Sequence, residues 1–543
     1  MRAVSVRRSF ALCASLLSLV AFPATAGATS TQAEIDAAVA KAVDYIHLQQ
    51  DIPTGAIPGF GGDWAATALA AAGVSSADVH GPLAGDPSLQ DYLLGEYTEP
   101  TWDEDPPGGL AVDYARAILV ARAAGLDPAR LSTNSNQPAQ LAGRWNQAIG
   151  SFGEASTNNT AFGLLAMRTA GLPGWALEPL VSFLRRNQHD DGGWNFPAAL
   201  TPPAKAEASD PEMTGAVVAA FCEAGLPAYD PDVAAGLDFL HAQLVDATGA
   251  IAYVWGDNAD TTAWVVSGLN ACGIDPQAPR WTTSAGKTPV DFLLSLQLQS
   301  GPGTGGFEYQ SGFGASAYST QDSLRAIAGA AFTAAPAQRQ DPALPRVRPV
   351  PVVSGTPVPH VLAIGRGSGN VSMCKAFAPA GAALPEVLTA AQVASSPAGC
   401  VTSFEVENGE VISINGIAPE NDDQAWLLRL DRGTEEIAGE QPVGFGDVVA
   451  LRLGVDPSTQ QGPAGAPGQP GAPGSGGSTG SAGSAGTPGR VGKAGARGPR
   501  GERGPQGRPG RNAELACKAR RRAGKSTVHC TVRHEHRSRH ARR

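Results

Sequence analysis

Residues 183–194 have the sequence FLRRNQHDDGGW, and this order of features decides how residues 35–330 fold. Two apolar residues end a predicted helix, Gln188 follows, and Gly192-Gly193-Trp194 completes the unit. The same order recurs in residues 45–64 and in residues 292–307. A feature that recurs at long intervals predicts an array of similar helical units that pack on one another.

A second repeated feature marks the end of a helix in each unit. Five apolar segments finish on a glycine, at intervals of 46 to 54 residues, and a sixth finishes near Ala330. Glycine favours the left-handed backbone conformation that stops a helix. The five glycines are Gly73, Gly125, Gly171, Gly225 and Gly273. This spacing predicts six helix pairs, which can close into a ring whose inner helices surround a central cavity.

Short polar clusters open the second helix of each pair and supply most of the candidate ligand-binding residues. Residues of this kind commonly cap helix N-termini, which is their structural interpretation. In the functional interpretation, six inner helix starts form a polar rim around one mouth of the cavity, suited to an amide-rich or anionic ligand. The candidates are Asp63, Trp64, Asp113, Tyr114, Asn159, Asp210, Asp260, Trp264, Tyr318 and Gln321.

The repeated glutamine, glycines and aromatic residue resemble the glutamine-tryptophan repeat of the terpenoid cyclase and protein prenyltransferase superfamily. That resemblance implies an all-α α/α toroid, which we place at residues 31–335. It indicates the fold more than an activity, because the glutamine can cap a helix and the aromatic ring can pack on a neighbour. We therefore interpret Trp64, Trp194 and Phe307 as structural residues first.

Asp260 is the residue on which an enzymatic function of this toroid would depend. Residues 258–263 resemble the Asp-x-Asp-Asp-Thr-Ala motif of class II terpene cyclases, in which the middle acid protonates an alkene, and Asp260 matches that acid. Asn258 and Thr261 replace the flanking acids, so the like charges that help to tune such a proton donor are missing. The zinc set of the prenyltransferases is missing as well. We predict a non-enzymatic protein without a metal site, with a cyclase that uses Asp260 as the alternative.

A small mainly-β domain follows a proline-rich linker. We place the linker at residues 336–359 and the domain at residues 360–455, with one helix at residues 384–391 and a tight turn at Asn415-Gly416. The predicted strands are residues 360–364, 403–406, 411–414, 426–430 and 448–453.

The order of these elements resembles the transcobalamin-like C-terminal domain. Where that family has Asn-Gly after its tryptophan strand, this chain has Asp431-Arg432-Gly433. A toroid followed by such a domain is the layout of the cobalamin carriers, and this resemblance implies a small-molecule cleft between the two domains, with Trp426 as a candidate contact. A corrinoid is one candidate ligand, and we predict no other cofactor. The alternative is a structural or adhesive surface protein without a small ligand.

Glycine at every third position defines the next segment. Residues 462–510 contain 17 uninterrupted triplets, and we place a collagen-like stalk at residues 462–512. Only glycine fits at the axis of three chains wound in polyproline-like helices, and such a rod rises by ~3.1 Å per residue, or roughly 150 Å in total. A rod needs three chains, so we predict a parallel homotrimer.

The charge of the chain is divided between its two ends. Residues 490–543, the basic segment, contain 17 Lys and Arg but three acids, a net charge of +14. The body between a 26-residue leader and Gly489 has 20 basic and 47 acidic residues, a net charge of −27. We expect the terminal part, residues 513–543, to bind an anionic cell-envelope polymer rather than nucleic acid. The alternative is a solubilising extension without a dedicated partner.

Targeting signals and cysteines indicate an oxidising compartment. Residues 1–26 combine arginines, an apolar run and a final Ala-Thr-Ala, which is typical of a secretory signal peptide. The other six cysteines fall into three neighbourhoods, which favours three local disulfides, although free thiols and other pairings stay open. The pairs are Cys222 with Cys272, Cys374 with Cys400, and Cys517 with Cys530, the last suited to a β-hairpin. We predict a secreted protein that is retained at the cell surface.

Overall fold

The computed structural model describes residues 29–457 with several gaps, and residues 514–522 and 525–533 by their backbone. The gaps are residues 60–61, 84, 100–109, 200, 203, 332, 339, 341–354, 368 and 394–399. The predicted signal peptide, most of the linker and the collagen-like triplets lie outside the described residues. Within the described residues, no helix has the length and the apolar run that a bilayer-spanning segment requires.

Twelve helices form a closed ring of six pairs. The outer helices are α1 (Gln32–Leu48), α3 (Leu89–Tyr97), α5 (Gln137–Ala142), α7 (Gly174–Arg186), α9 (Pro231–Ala242) and α11 (Pro289–Ser295). The inner helices are α2 (Ala65–Ala71), α4 (Ala111–Ala123), α6 (Thr157–Ala170), α8 (Pro211–Glu223), α10 (Ala259–Ala271) and α12 (Ala317–Ile327). Each inner helix contacts the next, and α12 contacts α2. The predicted α/α toroid of six helix pairs is therefore confirmed.

The glycines that were expected to end the inner helices have left-handed backbone angles. Their φ values lie between 67° and 111°, and Gly329 after α12 has a φ of 61°. A side chain at these positions is strained. The repeated Gly192 is restricted for a second reason, because a Cβ there would lie 2.6 Å from the carbonyl oxygen of Ala235 in α9.

The repeated glutamine connects neighbouring units. The Gln188 amide donates hydrogen bonds to the carbonyl oxygens of Gly192 (2.8 Å) and Asp232 in α9 (2.9 Å). The Gln297 amide likewise donates hydrogen bonds to the carbonyl oxygens of Gly305 in its own loop (3.0 Å) and of Ala38 in α1 (2.8 Å). Helix capping, the role expected for this residue, is therefore wrong, because each amide fixes a glycine loop against the following outer helix.

The aromatic residue of the repeat is a core residue, as expected. Trp194 is fully buried, its indole N–H donates to the Leu184 carbonyl at 2.7 Å, and its ring meets Phe221 edge-on with centroids 5.7 Å apart. Phe307 is also fully buried. Two short hairpins complete the ring, formed by β1 (Trp145–Asn146) with β2 (Ser151–Phe152) and by β3 (Phe307–Glu308) with β4 (Ala315–Ser316).

The second domain is a five-stranded sheet with one helix against it. Its core strands are β5 (Pro357–Gly365), β6 (Val371–Pro379), β10 (Gln424–Leu430), β11 (Glu436–Ile437) and β13 (Val448–Val455), in the order β11-β10-β13-β5-β6. The pair β13 and β5 is parallel, and the others are antiparallel. The remaining elements are β7 (Ala382–Ala383), α13 (Leu384–Val393), β8 (Phe404–Glu407), β9 (Glu410–Ile414) and β12 (Pro442–Val443).

All five predicted strands of this domain coincide with observed strands, and the predicted helix is α13. Asn415 and Gly416 both have positive φ angles, of 54° and 75°, as a tight hairpin turn requires. Strand β6 was not predicted. Six of its nine residues are buried, the first four of them in succession, so it lacks the polar alternation that indicates a half-exposed strand.

A separate hairpin lies in the C-terminal tail. It is formed by β14 (Glu514–Arg522) and β15 (Lys525–Arg533), and its register places Cys517 opposite Cys530. The predicted hairpin is confirmed, and the disulfide across it stays a prediction.

Two of the three predicted disulfides are present. Cys222 and Cys272 lie at the ends of the adjacent inner helices α8 and α10 and form a disulfide, with their Cα atoms 5.2 Å apart. Cys374 and Cys400 form the second disulfide, with their Cα atoms 5.7 Å apart. A bridge between equivalent ends of neighbouring repeats follows from the ring, because those ends are close in space.

We predict that replacing both Cys222 and Cys272 by alanine lowers the free energy of unfolding by about 2–5 kcal/mol, because the bridge closes a loop of 50 residues. Urea denaturation under non-reducing conditions measures the loss. An unchanged unfolding midpoint in the double variant would contradict the stabilising role of this bridge.

Candidate ligand-binding sites

The first predicted site residue, Asp63, belongs to an ion pair at the mouth of the ring. Its carboxylate lies 3.1 Å from Nε of Arg116 in α4 and accepts a 3.2 Å hydrogen bond from the Tyr97 hydroxyl. Burial and the nearby Asp63 carboxylate raise the pKa of Tyr97. These contacts join α2, α3 and α4 at the N-terminal ends of the inner helices.

Capping explains fewer of the predicted residues than the sequence suggested. The last four inner helices have side-chain N-caps, which are Ser156, Asp210, Asn258 and Ser316. Of these only Asp210 is among the predicted site residues. Asp63 and Trp64 lie directly before α2, and the other predicted residues lie two to six residues after the N-cap of their helix.

Three predicted residues near α4 and α6 are bound to the protein itself. Asp113 accepts the backbone N–H of Leu110 at 3.0 Å. The ring of Tyr114 is buried beneath the Arg144 guanidinium, 5.5 Å from the ring centroid. The Asn159 amide lies 3.5 Å from the Glu154 carbonyl. We assign these residues to the structure of the mouth.

Carboxylates from α8 and α10 form a second part of the mouth. Asp210 accepts a 2.8 Å bond from the Tyr253 hydroxyl, and Glu212 accepts a 2.6 Å bond from the Thr261 hydroxyl. Burial, together with Asp260 and Glu212, raises the pKa of Tyr309 to about 12. Asp260 therefore lies near a tyrosine hydroxyl and another acid, and is 7% exposed.

A buried ion pair on α12 lies between α2 and α10. A guanidinium nitrogen of Arg325 lies 2.6 Å from a carboxylate oxygen of Asp322, and both residues are in α12. Their side chains are 1% and 4% exposed. The indole N–H of Trp264 donates to Asp322 at 2.9 Å, and the Arg325 guanidinium lies 5.5 Å from the centroid of the Trp64 ring. Burial lowers the pKa of Arg325. Trp64 and Trp264 are thus structural residues that connect α2, α10 and α12.

Gln321 differs from its neighbours on α12. It is 1% exposed, and neither its amide nitrogen nor its amide oxygen has a hydrogen-bond partner. An unpaired buried polar group costs about 1–3 kcal/mol. Helical spacing places Gln321 on the same face as Tyr318 and Arg325. Gln321 therefore contributes a buried amide group whose two polar atoms both lack a hydrogen bond.

Trp426 does not line a cleft in this structure. It is fully buried in the core of the β domain, and its indole N–H donates to the Ile417 carbonyl at 3.2 Å. Successive side chains on a strand point to opposite faces, so Arg429, three residues later, lies on the other face of β10. Arg429, rather than the buried Trp426, lines the cleft between the two domains.

The cleft itself lies between the toroid and the β domain. It has a volume of about 480 Å³ and is lined by Arg122 and Arg168 from the last turns of α4 and α6, and by Arg429 and Arg432 from the end of β10 and the turn after it. Glu223, at the end of α8, is the one acidic side chain among the described lining residues. We call this cavity the arginine cleft.

The two domains are held together beside the arginine cleft by Arg130. Its guanidinium forms ion pairs with Asp127 (2.7 Å), Asp431 (3.1 Å) and Asp447 (2.8 Å), and donates to the Phe445 carbonyl at 2.7 Å. Burial lowers its pKa, but Asp127 and Asp431 outweigh burial and raise the pKa above its ordinary value.

Further contacts position the cleft residues. Arg432 donates to the Thr169 carbonyl at 2.8 Å. The buried Asn136 amide donates to the Pro359 carbonyl at 2.9 Å, and Lys375 donates to Gln140 at 2.8 Å. The turn that differs from the transcobalamin-like pattern therefore supplies an arginine to the interdomain contact.

Glu223 is affected by its place in this cleft. Burial raises the pKa of its carboxyl, while a 2.9 Å hydrogen bond from the Thr333 hydroxyl and the charge of Arg168 act in the opposite direction. The cleft thus combines four guanidinium groups with one carboxyl group that is easier to protonate than usual.

Sequence reasoning missed the arginine cleft. Arg122 and Arg168 precede the helix-ending Gly125 and Gly171 by three residues, and cations are favourable at helix C-termini. An arginine three residues before the glycine that ends a repeat is therefore the sequence feature that indicates these two residues. Elsewhere in the described residues, no three His, Cys, Asp or Glu side chains form a metal-binding cluster.

We predict that Arg325→Met destabilises the toroid by about 3–5 kcal/mol, because it leaves a buried carboxylate at Asp322 without its cation. Denaturant unfolding measures this change. The double replacement with Asp322→Leu removes both charges and should cost less than the single change. A single variant as stable as the parent protein would show that this pair is not a buried ion pair in solution.

Comparisons with known proteins match parts of the chain. Residues 457–515 match the family model of the collagen triple-helix repeat, and no curated protein matches. The type II terpene cyclase MstE from Scytonema shares 15% identity over 55% of this chain and 98% of its own, with a TM-score of 0.39. Haptocorrin in complex with Cbi shares 11% sequence identity over 77% of this chain and 97% of its own, with a TM-score of 0.34.

The ent-copalyl diphosphate synthase from Streptomyces platensis shares 20% identity over 49% of this chain and 48% of its own, with a TM-score of 0.33. The resemblances noted from the sequence recur in these matches. At such identities and TM-scores, a ligand or an activity has to be argued from the residues of this chain.

Proposed function

We propose that this protein is an extracellular, non-enzymatic binding protein whose head takes up a small anionic ligand in the arginine cleft. The observation that supports this proposal is the convergence of Arg122, Arg168, Arg429 and Arg432, two from each domain, on one cavity. The body of the chain is otherwise strongly acidic, so a cavity with four cations and one acid is a local reversal of charge.

The chemistry of arginine defines the ligand class. A guanidinium offers planar, paired N–H donors that match a carboxylate or a phosphate, and it stays protonated. A cavity of about 480 Å³ lies within the ~300–1,000 Å³ typical of small-molecule sites. Since the lining is charged rather than apolar, we favour a compact phosphorylated or polycarboxylate compound over a corrinoid.

We predict that the full-length protein binds inorganic pyrophosphate or citrate, and that Arg429→Gln with Arg168→Gln weakens binding by about tenfold or more. Loss of a charge-assisted hydrogen bond costs about 1.5–3 kcal/mol. These two arginines are chosen because Arg432 also supports the domain contact. Isothermal titration calorimetry gives the affinities, and cobinamide is titrated alongside to test the corrinoid alternative.

Arg186→Gln is the matched control, since Arg186 is an exposed arginine that does not line the cleft. An equal loss of affinity in this variant would contradict the assignment of the site. Failure of every probe to bind would favour the structural or adhesive alternative. If the protein instead turns over a polyprenoid and Asp260→Asn abolishes that reaction, the protein is an enzyme.

The pH dependence of binding follows from Glu223. Because the pKa of this carboxyl is raised, lowering the pH protonates it and removes the negative charge from the cleft. Affinity for sulfate, which stays fully ionised, should therefore increase as the pH falls through this pKa. Glu223→Gln should bind sulfate tightly at neutral pH and show little further change on acidification.

We propose that the collagen-like segment joins three heads in one molecule. Support comes from the match of residues 457–515 to the triple-helix repeat and from the strict glycine period of residues 462–510. The tail beyond it would present its positive charges three times over, which raises its avidity for an anionic cell-envelope polymer and retains the protein at the cell surface.

We predict that a chain ending at Val455, the last residue of β13, is a monomer, whereas the full-length chain is a trimer. Light scattering coupled to size-exclusion chromatography gives both masses. The shortened chain should also no longer sediment with cell walls, because it lacks the basic segment. A shortened chain that remains trimeric or wall-bound would contradict the role proposed for residues 462–543.

A further inference from the structure

One half of the ring is almost free of positive charge. Residues 206–324, which include α8 to α12 except for the end of α12, contain 14 acidic side chains and only two basic ones, Arg280 and Lys287. Arg280 is paired with Asp238, and two arginines outside this range neutralise further acids of the sector, Arg185 at Asp230 and Asp232 and Arg325 at Asp322. The remaining acids still outnumber the cations. This sector therefore has a strongly negative electrostatic potential, which attracts cationic partners.

An exposed aromatic patch lies at the mouth of this sector. We define the aromatic patch as Tyr253, Val254, Trp255, Tyr309 and Phe313. Val254, Trp255 and Phe313 are 77%, 62% and 72% exposed. Neighbouring large apolar side chains with this exposure mark interaction surfaces, and aromatic residues are enriched where proteins bind partners.

The two loops of the patch are tied to each other. The Gln310 amide donates to the carbonyl oxygens of Trp255 (2.8 Å) and Asp257 (3.1 Å). The buried Glu308 carboxylate accepts the backbone N–H groups of Gly312 (3.1 Å) and Gly314 (2.7 Å). Trp255 and Phe313 are therefore held outward by hydrogen bonds in the loops behind them.

Carboxylates lie close to the hydroxyl groups of the two tyrosines of the patch. The Tyr253 hydroxyl donates a hydrogen bond to Asp210 at 2.8 Å. Burial, together with the charges of Asp260 and Glu212, raises the pKa of the Tyr309 hydroxyl. The ring of Tyr309 also meets Phe313 edge-on, with centroids 6.4 Å apart. Aromatic faces with negative charge near them attract guanidinium and ammonium groups through cation–π and Coulomb interactions.

We propose that the aromatic patch binds the basic segment, residues 490–543, of a neighbouring molecule of this chain. The basic segment has 17 Lys and Arg side chains and three acids, so its charge is opposite to that of the sector around the patch. Arginine, its main cation, stacks on aromatic rings as well as pairing with carboxylates. A neutral partner would gain nothing from the charge of this sector.

The contact is between molecules, and this step rests on the collagen rod of the proposed function. A rod of roughly 150 Å separates the terminal part of the basic segment, residues 513–543, from the heads of its own trimer. Contact between a tail on one molecule and a head on the next joins two different surfaces, and such contacts propagate rather than close. The patch would therefore join trimers end to end into larger, salt-sensitive assemblies.

The test uses the full-length chain and its Trp255→Ser, Phe313→Ser double variant. We expect the parent protein to form species larger than one trimer at 20 mM salt, and these to dissociate at 0.5 M salt, where exposed charges are screened. The double variant should assemble about tenfold more weakly, since each cation–π contact contributes a few-fold. Sedimentation velocity measures the assemblies. Tyr229→Ser is the control, because Tyr229 is an exposed aromatic residue (85%) outside the patch.

A labelled peptide of residues 511–543, with serine at both cysteine positions, tests the contact without the stalk. Fluorescence anisotropy should show binding to the full-length chain and to Tyr229→Ser, about tenfold weaker binding to the double variant, and none for a peptide with glutamine in place of Lys and Arg. This readout separates the patch from the trimer, because peptide binding survives even if the stalk does not trimerise. Equal binding by parent and double variant, or peptide binding to cell walls only, overturns the proposal.

Discussion

Closure of the ring between its last and first units is the constraint on which the rest of the structure depends. The Gln297 amide in the last unit donates to Ala38 in α1, 259 residues earlier in the chain, and Asp291 in α11 accepts the Ser30 backbone N–H at 2.8 Å. Helix α12 then contacts α1, α2 and α10. A closed ring needs no capping repeats, and it brings the equivalent ends of all six inner helices together.

The parallel arrangement of inner helices also sorts charge between the two ends of the ring. Acids are favourable at helix N-termini and cations at C-termini, because of the helix dipole. Asp210, Glu212 and Asp260 lie at helix starts, whereas Arg122 and Arg168 lie in last turns. Each preference is small for one helix. Acids in the first turns of α4, α8 and α10 contribute to an acidic mouth at one end of the ring, and arginines in the last turns of α4 and α6 contribute to the arginine cleft at the other.

The sequence was sufficient for features that repeat or that depend on near neighbours. Glycine-terminated helices gave the six pairs, and equivalent positions in adjacent repeats gave the bridge between Cys222 and Cys272. Contacts between segments that are distant in the chain could not be predicted from the sequence. Arg429 and Arg168 meet only because the β domain docks beside α5 and α6, and that docking depends on Arg130, an ordinary arginine in a loop. Trp426 was misplaced because an indole that binds a ligand and one that fills a core look alike in sequence.

The disulfide and the cleft meet at one helix end. Cys222 is adjacent to Glu223, the acid of the arginine cleft, and its partner Cys272 ends the next inner helix. The bridge therefore fixes the end of α8 against α10 on one side, while the Thr333 hydroxyl holds the Glu223 carboxylate on the other. The position of this carboxylate in the cleft therefore depends on a covalent bond as well as on a hydrogen bond. The same disulfide connects the helices whose opposite ends form the acidic mouth, so the rigidity of both sites has a common source.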